Sequence, residues 1–589
     1  MYRGAGRCVY TCSKWPRYGI LSIRSGPVHP TRRYITSAAS SLSGNRDLIE
    51  NGSLIRHQTP VQQRDDTIYA LSTAEGKAGI AVIRISGPSC KSIYNGLCPS
   101  KPVLKPRYAT IRTLYHPDSN GLDTLDSEAL VLFFPNPKTV TGDDVLELHV
   151  HGGSATVRAV LSAIPKCAAD GPIRYAEPGE FTKRAFLNDR LDLAQVEALS
   201  ETLSAETEQQ RRAAVRGSSG SLGRTYEDWR QKLLQARAEM EALIDFSEDQ
   251  HFDESPASLV GNVTQQVRRI LQSIHMHEGA SERSELLRNG ITIALVGPPN
   301  VGKSSFMNHV VGREASIVSG ESGTTRDIIE ANLDIRGYLC TFADTAGFRT
   351  TIRDGDIDSY GSEAKIGAVE EEGIRRARIK ATQSDVIIVL TSIETGIPNS
   401  PQIRYDMETL RIAAACRERL VVVNKRDAVS DEELHGLVRR FTVDVLNKVE
   451  GLEGVQPVLI SCREAQNLSS DQTDPGGIRG VIDHLVSSFM EMTSLPATLQ
   501  DLHGVTERQR QLLVQCRGHL ENYLESVGYG ELGHETGMDE AQGDNADITM
   551  AAEHLRYAAN KLGRITGRGE VGDVEEILGV IFEKFCVGK

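Results

Sequence analysis

The chain has 589 residues, 39% of them apolar, and a formal net charge of −13. That length holds about three domains with real cores. No apolar run approaches the ~20 residues needed to cross a bilayer, so a soluble protein is expected. So acidic a chain is no general polyanion binder, and any RNA contact must use a local patch or a partner. Ten cysteines without a C-x-x-C pair exclude zinc fingers and a disulfide framework and read as reduced core thiols.

Residues 1–46 stand apart. They carry Arg3, Arg7, Lys14, Arg17, Arg24, Arg32, Arg33 and Arg46, with no Asp or Glu. This is the composition of a mitochondrial transit peptide, with Arg32-Arg33-Tyr34 as a processing site; a disordered basic tail is the alternative. Removing residues 1–34 would take the formal charge from −13 to −20. Residues 47–65 read as a polar, flexible linker.

Strand-like runs at 79–86, 129–134 and 145–150, separated by turn residues, predict a compact α+β domain over 66–180. From 181 to 288 apolar residues recur at helical spacing, as in 191–204 and 226–244. Residues 289–489 alternate strands with helices, as a doubly wound, mostly parallel sheet requires. Helical pattern returns over 490–589. The expected fold class is therefore multidomain α/β and α, with the 289–489 unit inserted into a helical bundle. Irregular, exposed inserts are expected at 349–367 and 528–547.

The chemistry begins at residues 297–304, Gly-Pro-Pro-Asn-Val-Gly-Lys-Ser. This is a G-x-x-x-x-G-K-S phosphate loop, placed after the apolar run at 291–296. Gly297 and Gly302 let the backbone curl so that its N–H groups face phosphates. The following helix adds its positive end. Lys303 reaches the β- and γ-phosphates and Ser304 binds Mg²⁺; Asn300, Val301 and Ser305 complete the loop's contacts.

Two later segments complete a guanine-nucleotide site, each after an apolar run. In Asp344-Thr345-Ala346-Gly347 the aspartate would hold Mg²⁺ through water and the Gly347 N–H would sense the γ-phosphate. In Asn424-Lys425-Arg426-Asp427 the last carboxylate accepts N1–H and N2–H of guanine, a pair that adenine lacks. GTP is therefore expected over ATP. Ser461-Cys462 fits the last base-contacting loop, where Ala is usual at the second position. Thr325, in Gly323-Thr324-Thr325, can close over Mg²⁺ as a switch residue. Phe348 stands where Ras-type enzymes place the water-orienting Gln, so another group must do that work. Asn300 is either a ligand to a monovalent cation, standing in for an arginine finger, or a loop-stabilising residue.

Outside the nucleotide unit the chain resembles the MnmE (TrmE) tRNA-modification GTPases. The resemblance rests on Asp66-Thr-Ile, Gly79-Ile-Ala-Val-Ile-Arg-Ile-Ser-Gly, Thr141-Gly-Asp-Asp-Val-Leu-Glu-Leu, His151-Gly-Gly, Pro178-Gly-Glu-Phe-Thr-Lys-Arg-Ala-Phe-Leu-Asn and the terminal Phe585-Cys-Val-Gly-Lys. With the leader, the chain is similar to the mitochondrial homologues. The resemblance implies an FAD-containing partner of the MnmG (GidA, MTO) type. It also implies a tetrahydrofolate carrying a one-carbon unit as formyl or methylene, and an aminomethyl-type group on carbon 5 of the wobble uridine of mitochondrial tRNA. Whether glycine or taurine supplies the side group is left open.

By resemblance, Arg84, Glu147, Arg190 and Lys589 contact folate. Arg190 replaces a bacterial Lys, keeping the charge but not the shape. Cys586 is taken as structural or folate-lining rather than catalytic. The resemblance also implies dimerisation through the N-terminal domain, and through the GTPase units in the transition state. K⁺ would be held by Asn300, Ser319, the Glu321 backbone and Thr324, and water oriented by Glu370. Family aside, the GTPase motifs fit equally a regulatory switch in mitochondrial ribosome or RNA assembly.

Overall fold

The structure is a computed structural model. It describes residues 65–245 except 100, 103, 120 and 170, then 255–313, 315–317, 330–343, 379, 382–395, 400–466, 474–528, 547–568, 585 and 588. The leader, the linker up to residue 64 and both expected inserts lie outside these residues, apart from Gly528 and Asp547 at the ends of the second.

The first domain is built on strands β1 (Thr67–Leu71), β2 (Ile80–Ser86), β3 (Thr110–Tyr115), β4 (Thr124–Phe134), β5 (Val145–His151) and β6 (Ile173–Tyr175), in the sheet order β3-β4-β5-β2-β1-β6. All neighbours are antiparallel except β1 and β6. Burial alternates along β2 and β5, as in a sheet with one face on a core. Helices α1 (Cys90–Leu97) and α2 (Ser154–Ala163) supply that core through Ile93, Leu97, Val157 and Val160. Helix α3 (Glu180–Leu187) carries Arg184, whose guanidinium is buried and reaches Asp66, Glu180 and Asp143.

Helices α4 (Leu193–Ser204), α5 (Glu208–Gly217), α6 (Ser221–Asp245) and α7 (Pro256–Asn289) follow. The first two start on capping boxes built by Asp192 with Gln195 and by Thr207 with Gln210, which satisfy backbone N–H groups that a helix start leaves free. The chain then enters the second sheet and returns to the bundle as α12 (Glu507–Ser526) and α13 (Ile548–Thr566). One core joins both halves: Tyr226, Leu233, Val267 and Ile274 pack with Leu513, Leu520, Leu555 and Leu562. The nucleotide unit is thus inserted into a single helical bundle, as the returning helical pattern predicted. Among the described residues no helix is long and apolar enough to cross a membrane.

The inserted unit comprises β7 (Ile291–Val296), α8 (Lys303–Arg313), β8 (Ala315–Ile317), β9 (Glu330–Ile335), β10 (Tyr338–Ala343), β11 (Val386–Thr395), β12 (Pro401–Arg404), α9 (Met407–Ala414), β13 (Glu418–Asn424), α10 (Asp431–Asp444), β14 (Val458–Leu459) and α11 (Ile478–Thr493). The sheet order is β14-β13-β11-β7-β10-β9-β8, with β12 on β11. The central strands β10, β7, β11, β13 and β14 are parallel. Burial on both faces explains the apolar runs at 293–296 in β7 and 420–423 in β13. The apolar run at 291–296 coincides with an observed strand.

Candidate nucleotide site and N-terminal ion pair

The phosphate loop bridges β7 and α8 at the carboxyl edge of the parallel strands, where open α/β sheets bind ligands. Three residues take positive φ: Gly297 at 146°, Asn300 at 66° and Gly302 at 100°. A Cβ on Gly297 would sit 2.1 Å from the Leu390 carbonyl oxygen, and one on Gly302 would sit 2.3 Å from Asn424 Nδ2. Both glycines are therefore demanded by close approach as well as by conformation. Asn300 is a residue type that tolerates the left-handed region.

Lys303 Nζ donates to the Gly297 and Pro298 carbonyls at 2.8 and 2.9 Å, so its stem curls back along the loop. An ammonium has three donors, which leaves one for a phosphate oxygen. Burial lowers the Lys303 pKa from its ordinary value. Ser304 and Ser305 occupy the first turn of α8, where the helix end favours negative charge. A compact, N–H-rich cradle whose glycines exclude side chains fits a polyphosphate, and the Ser304 hydroxyl fits a hard cation such as Mg²⁺.

The base side is organised by Asn424, the last residue of β13 and 2% exposed. Its Nδ2 donates to the Val301 carbonyl at 2.8 Å, and its Oδ1 accepts from Lys425 N at 2.8 Å and Cys462 N at 3.1 Å. Lys425 takes φ 64°, which turns the chain so that Asp427 follows within one short 3₁₀ turn. The buried Ser461 hydroxyl donates to Asp427 Oδ1 at 2.6 Å. That bond fixes the carboxylate and leaves its other oxygen for a ligand. His309 Nε2, on α8, lies 2.9 Å from the Cys462 carbonyl. Burial pushes the Cys462 thiol up to about 11, so it is a neutral wall of this loop.

The structure thus brings together Asn300, Val301, Gly302, Lys303, Ser304, Ser305, Asn424, Lys425, Asp427, Ser461 and Cys462. Ser319, Glu321, Thr324, Thr325, Asp344, Thr345, Ala346, Gly347 and Glu370 lie outside the described residues, as do Cys586 and Lys589.

In the N-terminal domain Arg84 and Glu147 are direct cross-strand partners on β2 and β5. Arg84 Nε and Nη2 both lie 3.0 Å from Glu147 Oε1, and His149 Nε2 is 3.4 Å from Oε2. The two expected folate residues therefore form one ion-paired unit. Arg190 Nε donates to the Thr139 carbonyl at 3.0 Å. The C-terminal tail returns to this domain. Phe585 packs against Leu193 and Val196, and the Ser72 hydroxyl donates to the Gly588 carbonyl at 2.9 Å. Gly588 has φ 95°, and a Cβ there would lie 2.1 Å from the Leu71 carbonyl oxygen. That close approach explains the glycine before the terminal residue. Leu71 adjoins Ala70, the cross-strand partner of Arg84.

Some contributors were not read from the sequence. Gly476 accepts from Ser461 N at 2.9 Å, and a Cβ on it would sit 2.4 Å from that of Ala465. The Gly476-Gly477 pair ahead of α11 was the available signal. The roles of Asn424 as a brace and of His309 as a strut had none, because both depend on contacts between distant segments.

Profiles of two families match the chain: that of the GTP-binding protein TrmE N-terminus over residues 67–190, and that of the MnmE helical domain over residues 193–586. The bacterial tRNA modification GTPase MnmE of Parvibaculum lavamentivorans is 37% identical over 527 residues, spanning 89% of this chain and 100% of that protein. The mitochondrial 5-taurinomethyluridine tRNA synthase subunit GTPB3 of Danio rerio is 36% identical, spanning 89% and 93%. The mitochondrial tRNA modification GTPase MSS1 of Saccharomyces cerevisiae is 33% identical, spanning 92% and 98%. With a TrmE-type N-terminal domain, a nucleotide unit set into the helical bundle and matches over nearly its whole length, the chain belongs to the MnmE/TrmE family of tRNA-modification GTPases.

Proposed function

We propose that this protein is the mitochondrial GTPase that, with an FAD-containing partner, installs a carboxymethylaminomethyl- or taurinomethyl-type group on carbon 5 of the tRNA wobble uridine. The observation that carries the nucleotide half is the Asn424 brace, which holds the phosphate loop and both described base-contacting segments in one hydrogen-bonded frame. Mitochondrial relatives over most of the chain and the basic leader support the location.

GTP would lie with its phosphates in the 297–304 loop and its base against Asp427. Ser304 and Thr325, with Asp344 through a water, would hold Mg²⁺, which would offset the charge of the nucleotide phosphates. The loop N–H groups and Lys303 orient the phosphates and stabilise the charge that grows on them. Glu370 positions the attacking water. Asn300, Ser319, the Glu321 backbone and Thr324 would hold K⁺, which would supply the positive charge that an arginine finger gives elsewhere. The GTPase units dimerise at that step, while the N-terminal domains hold the homodimer together.

Arg84, Glu147, Arg190 and Lys589 form the folate end of the site. The carboxylate of Glu147, set by Arg84, accepts pterin N–H groups, and the cationic residues meet the glutamyl carboxylates. The seating of Gly588 on Ser72, next to the strand that pairs with β2, supports a place for Lys589 in this set. A tetrahydrofolate bound there supplies the one-carbon unit.

The test is nucleoside analysis of mitochondrial tRNA with and without the gene, complemented by the Asp427→Asn variant. The wobble modification should vanish in the deletion and stay absent with the variant. Unchanged wobble nucleosides in the deletion would sink the modification role.

A further inference from the structure

Helix α5 meets the GTPase sheet around a pocket of about 230 Å³, none of whose walls belongs to the phosphate loop or the base-contacting segments. Gln209, Arg212 and Arg216 line it from α5, at spacings that put them on one helix face. His503 lines it from the 3₁₀ segment Ala497–Gly504, and Tyr338 and Thr493 come from β10 and α11. No carboxylate is among the lining residues. Arg212 is engaged on one edge by Glu208, 2.7 Å from its Nε. The Arg216 side chain makes no hydrogen bond or ion pair among the described residues. His503 is 6% exposed, and its Nδ1 has no hydrogen-bond partner. Burial first, and then the charges of Arg216 and Arg283, push this imidazole down to about 4, so it is neutral at pH 7.

Arg216 lacks a counter-charge, Arg212 has one edge left free by Glu208, and both line the pocket with an orphaned, buried ring nitrogen. Planar guanidinium forks match tetrahedral oxyanions, and a neutral imidazole adds one donor. From this geometry we infer that the pocket binds an oxyanion of the phosphate class, gripped by Arg216 and Arg212 with Gln209 and His503 beside it. Its walls belong to both the helical bundle and the GTPase unit, so the anion pins the two together. The pinning reaches the nucleotide site by a short route. Gln209 N donates to the Gly337 carbonyl at 3.1 Å, and β10 runs from Tyr338 to Ala343, the residue before Asp344. The inference does not depend on the folate assignment.

The anion is either free phosphate or a backbone phosphodiester of bound tRNA, and two arms separate these. In both, the full chain is first saturated with GDP and Mg²⁺ so that the phosphate loop is filled. In the first arm, thermal unfolding is followed in potassium phosphate against potassium chloride at equal ionic strength. A saturable rise in Tm that is lost in Arg216→Gln supports the site with free phosphate as its ligand. In the second arm, tRNA affinity is measured. A fall of about tenfold in Arg216→Gln, without a phosphate effect in the first arm, supports a phosphodiester as ligand. Circular dichroism and GDP affinity equal to wild type certify the variant, and Arg212→Gln replaces it if they differ. A certified variant that matches wild type in both arms overturns the inference.

Discussion

The Asn424 amide crosses over the Cα of Gly302 to reach the Val301 carbonyl, 2.8 Å away. A Cβ on Gly302 would fall 2.3 Å from that same nitrogen. The final glycine of the phosphate loop and the first residue of the guanine motif are therefore one steric and hydrogen-bonded unit, 122 positions apart in the sequence. Gly302→Ala should be costly on two counts: the clash, and a φ of 100° that a side chain tolerates poorly. Backbone strain alone costs on the order of 1–2 kcal/mol, so GDP binding should weaken at least about tenfold. Titration of a fluorescent GDP analogue checks this; unchanged affinity would contradict it.

Asn424→Ala removes the acceptor from two backbone N–H groups and the donor from one carbonyl. Unsatisfied buried groups cost about 1–3 kcal/mol each. The GTPase unit should lose about 3 kcal/mol or more, and nucleotide affinity should fall with it. Denaturant unfolding with and without GDP reads both effects.

Asp427→Asn replaces an acceptor pair with one acceptor and one donor. The amide now opposes the guanine N2 amino group but complements an oxygen at that carbon. GTP hydrolysis should drop by about 100-fold, and xanthosine triphosphate should become the better substrate. Steady-state kinetics with both nucleotides decides. Retained GTP preference would remove Asp427 from the base site.

Arg184 is 2% exposed and bound to Asp66 at 3.0 Å and Glu180 at 3.4 Å. Arg184→Met leaves Asp66 and Glu180 paired with Arg174 at 2.8 and 2.5 Å but removes a buried donor from both, and should cost about 1–3 kcal/mol. Burial opposes ionisation of Glu180, but hydrogen bonds and charge from Arg174, with help from Arg184, hold its pKa below the ordinary 4.5. The folded-state value is depressed, so this contribution is present above pH 4.5 and is lost as pH falls below it. Wild type should destabilise on acidification in that window more than Glu180→Gln does. Parallel slopes would contradict the assignment.

Burial raises the pKa of Cys90, Cys340 and Cys516, and holds Cys462 at about 11. These thiols should resist iodoacetamide at pH 7.5 in the native protein. The half-buried Cys416 should react before them. Mass spectrometry of the alkylated chain reads the order, and fast labelling of Cys462 would mean that its loop opens.

Much of this architecture is legible in local patterns. The strand at 291–296 announces itself because a parallel strand covered on both faces must be largely apolar. The bundle split by an insertion is visible because helical spacing stops and resumes. The phosphate and guanine motifs are legible because their spacing is set by backbone geometry. Pairing across the fold is not local. Nothing in the sequence near Arg84 shows that its partner is Glu147, since that depends on the register of β2 against β5. The His503 pocket is invisible for the same reason: its walls come from α5, α11, β10 and a 3₁₀ segment. The apolar run at 129–134 marks only the second half of β4, whose start carries the exposed Thr124, Ser127 and Glu128.

The proposed cation assistance is tested most directly by GTP hydrolysis in potassium against sodium chloride, with the chain lacking residues 1–34. Asn300 has φ 66°, so alanine there would add strain; Asn300→Gly removes the side-chain oxygen and keeps the backbone. Hydrolysis should be at least about tenfold faster in potassium, and the stimulation should be lost in Asn300→Gly while GDP affinity holds. Equal rates in the two salts, or full potassium stimulation in Asn300→Gly, would contradict it.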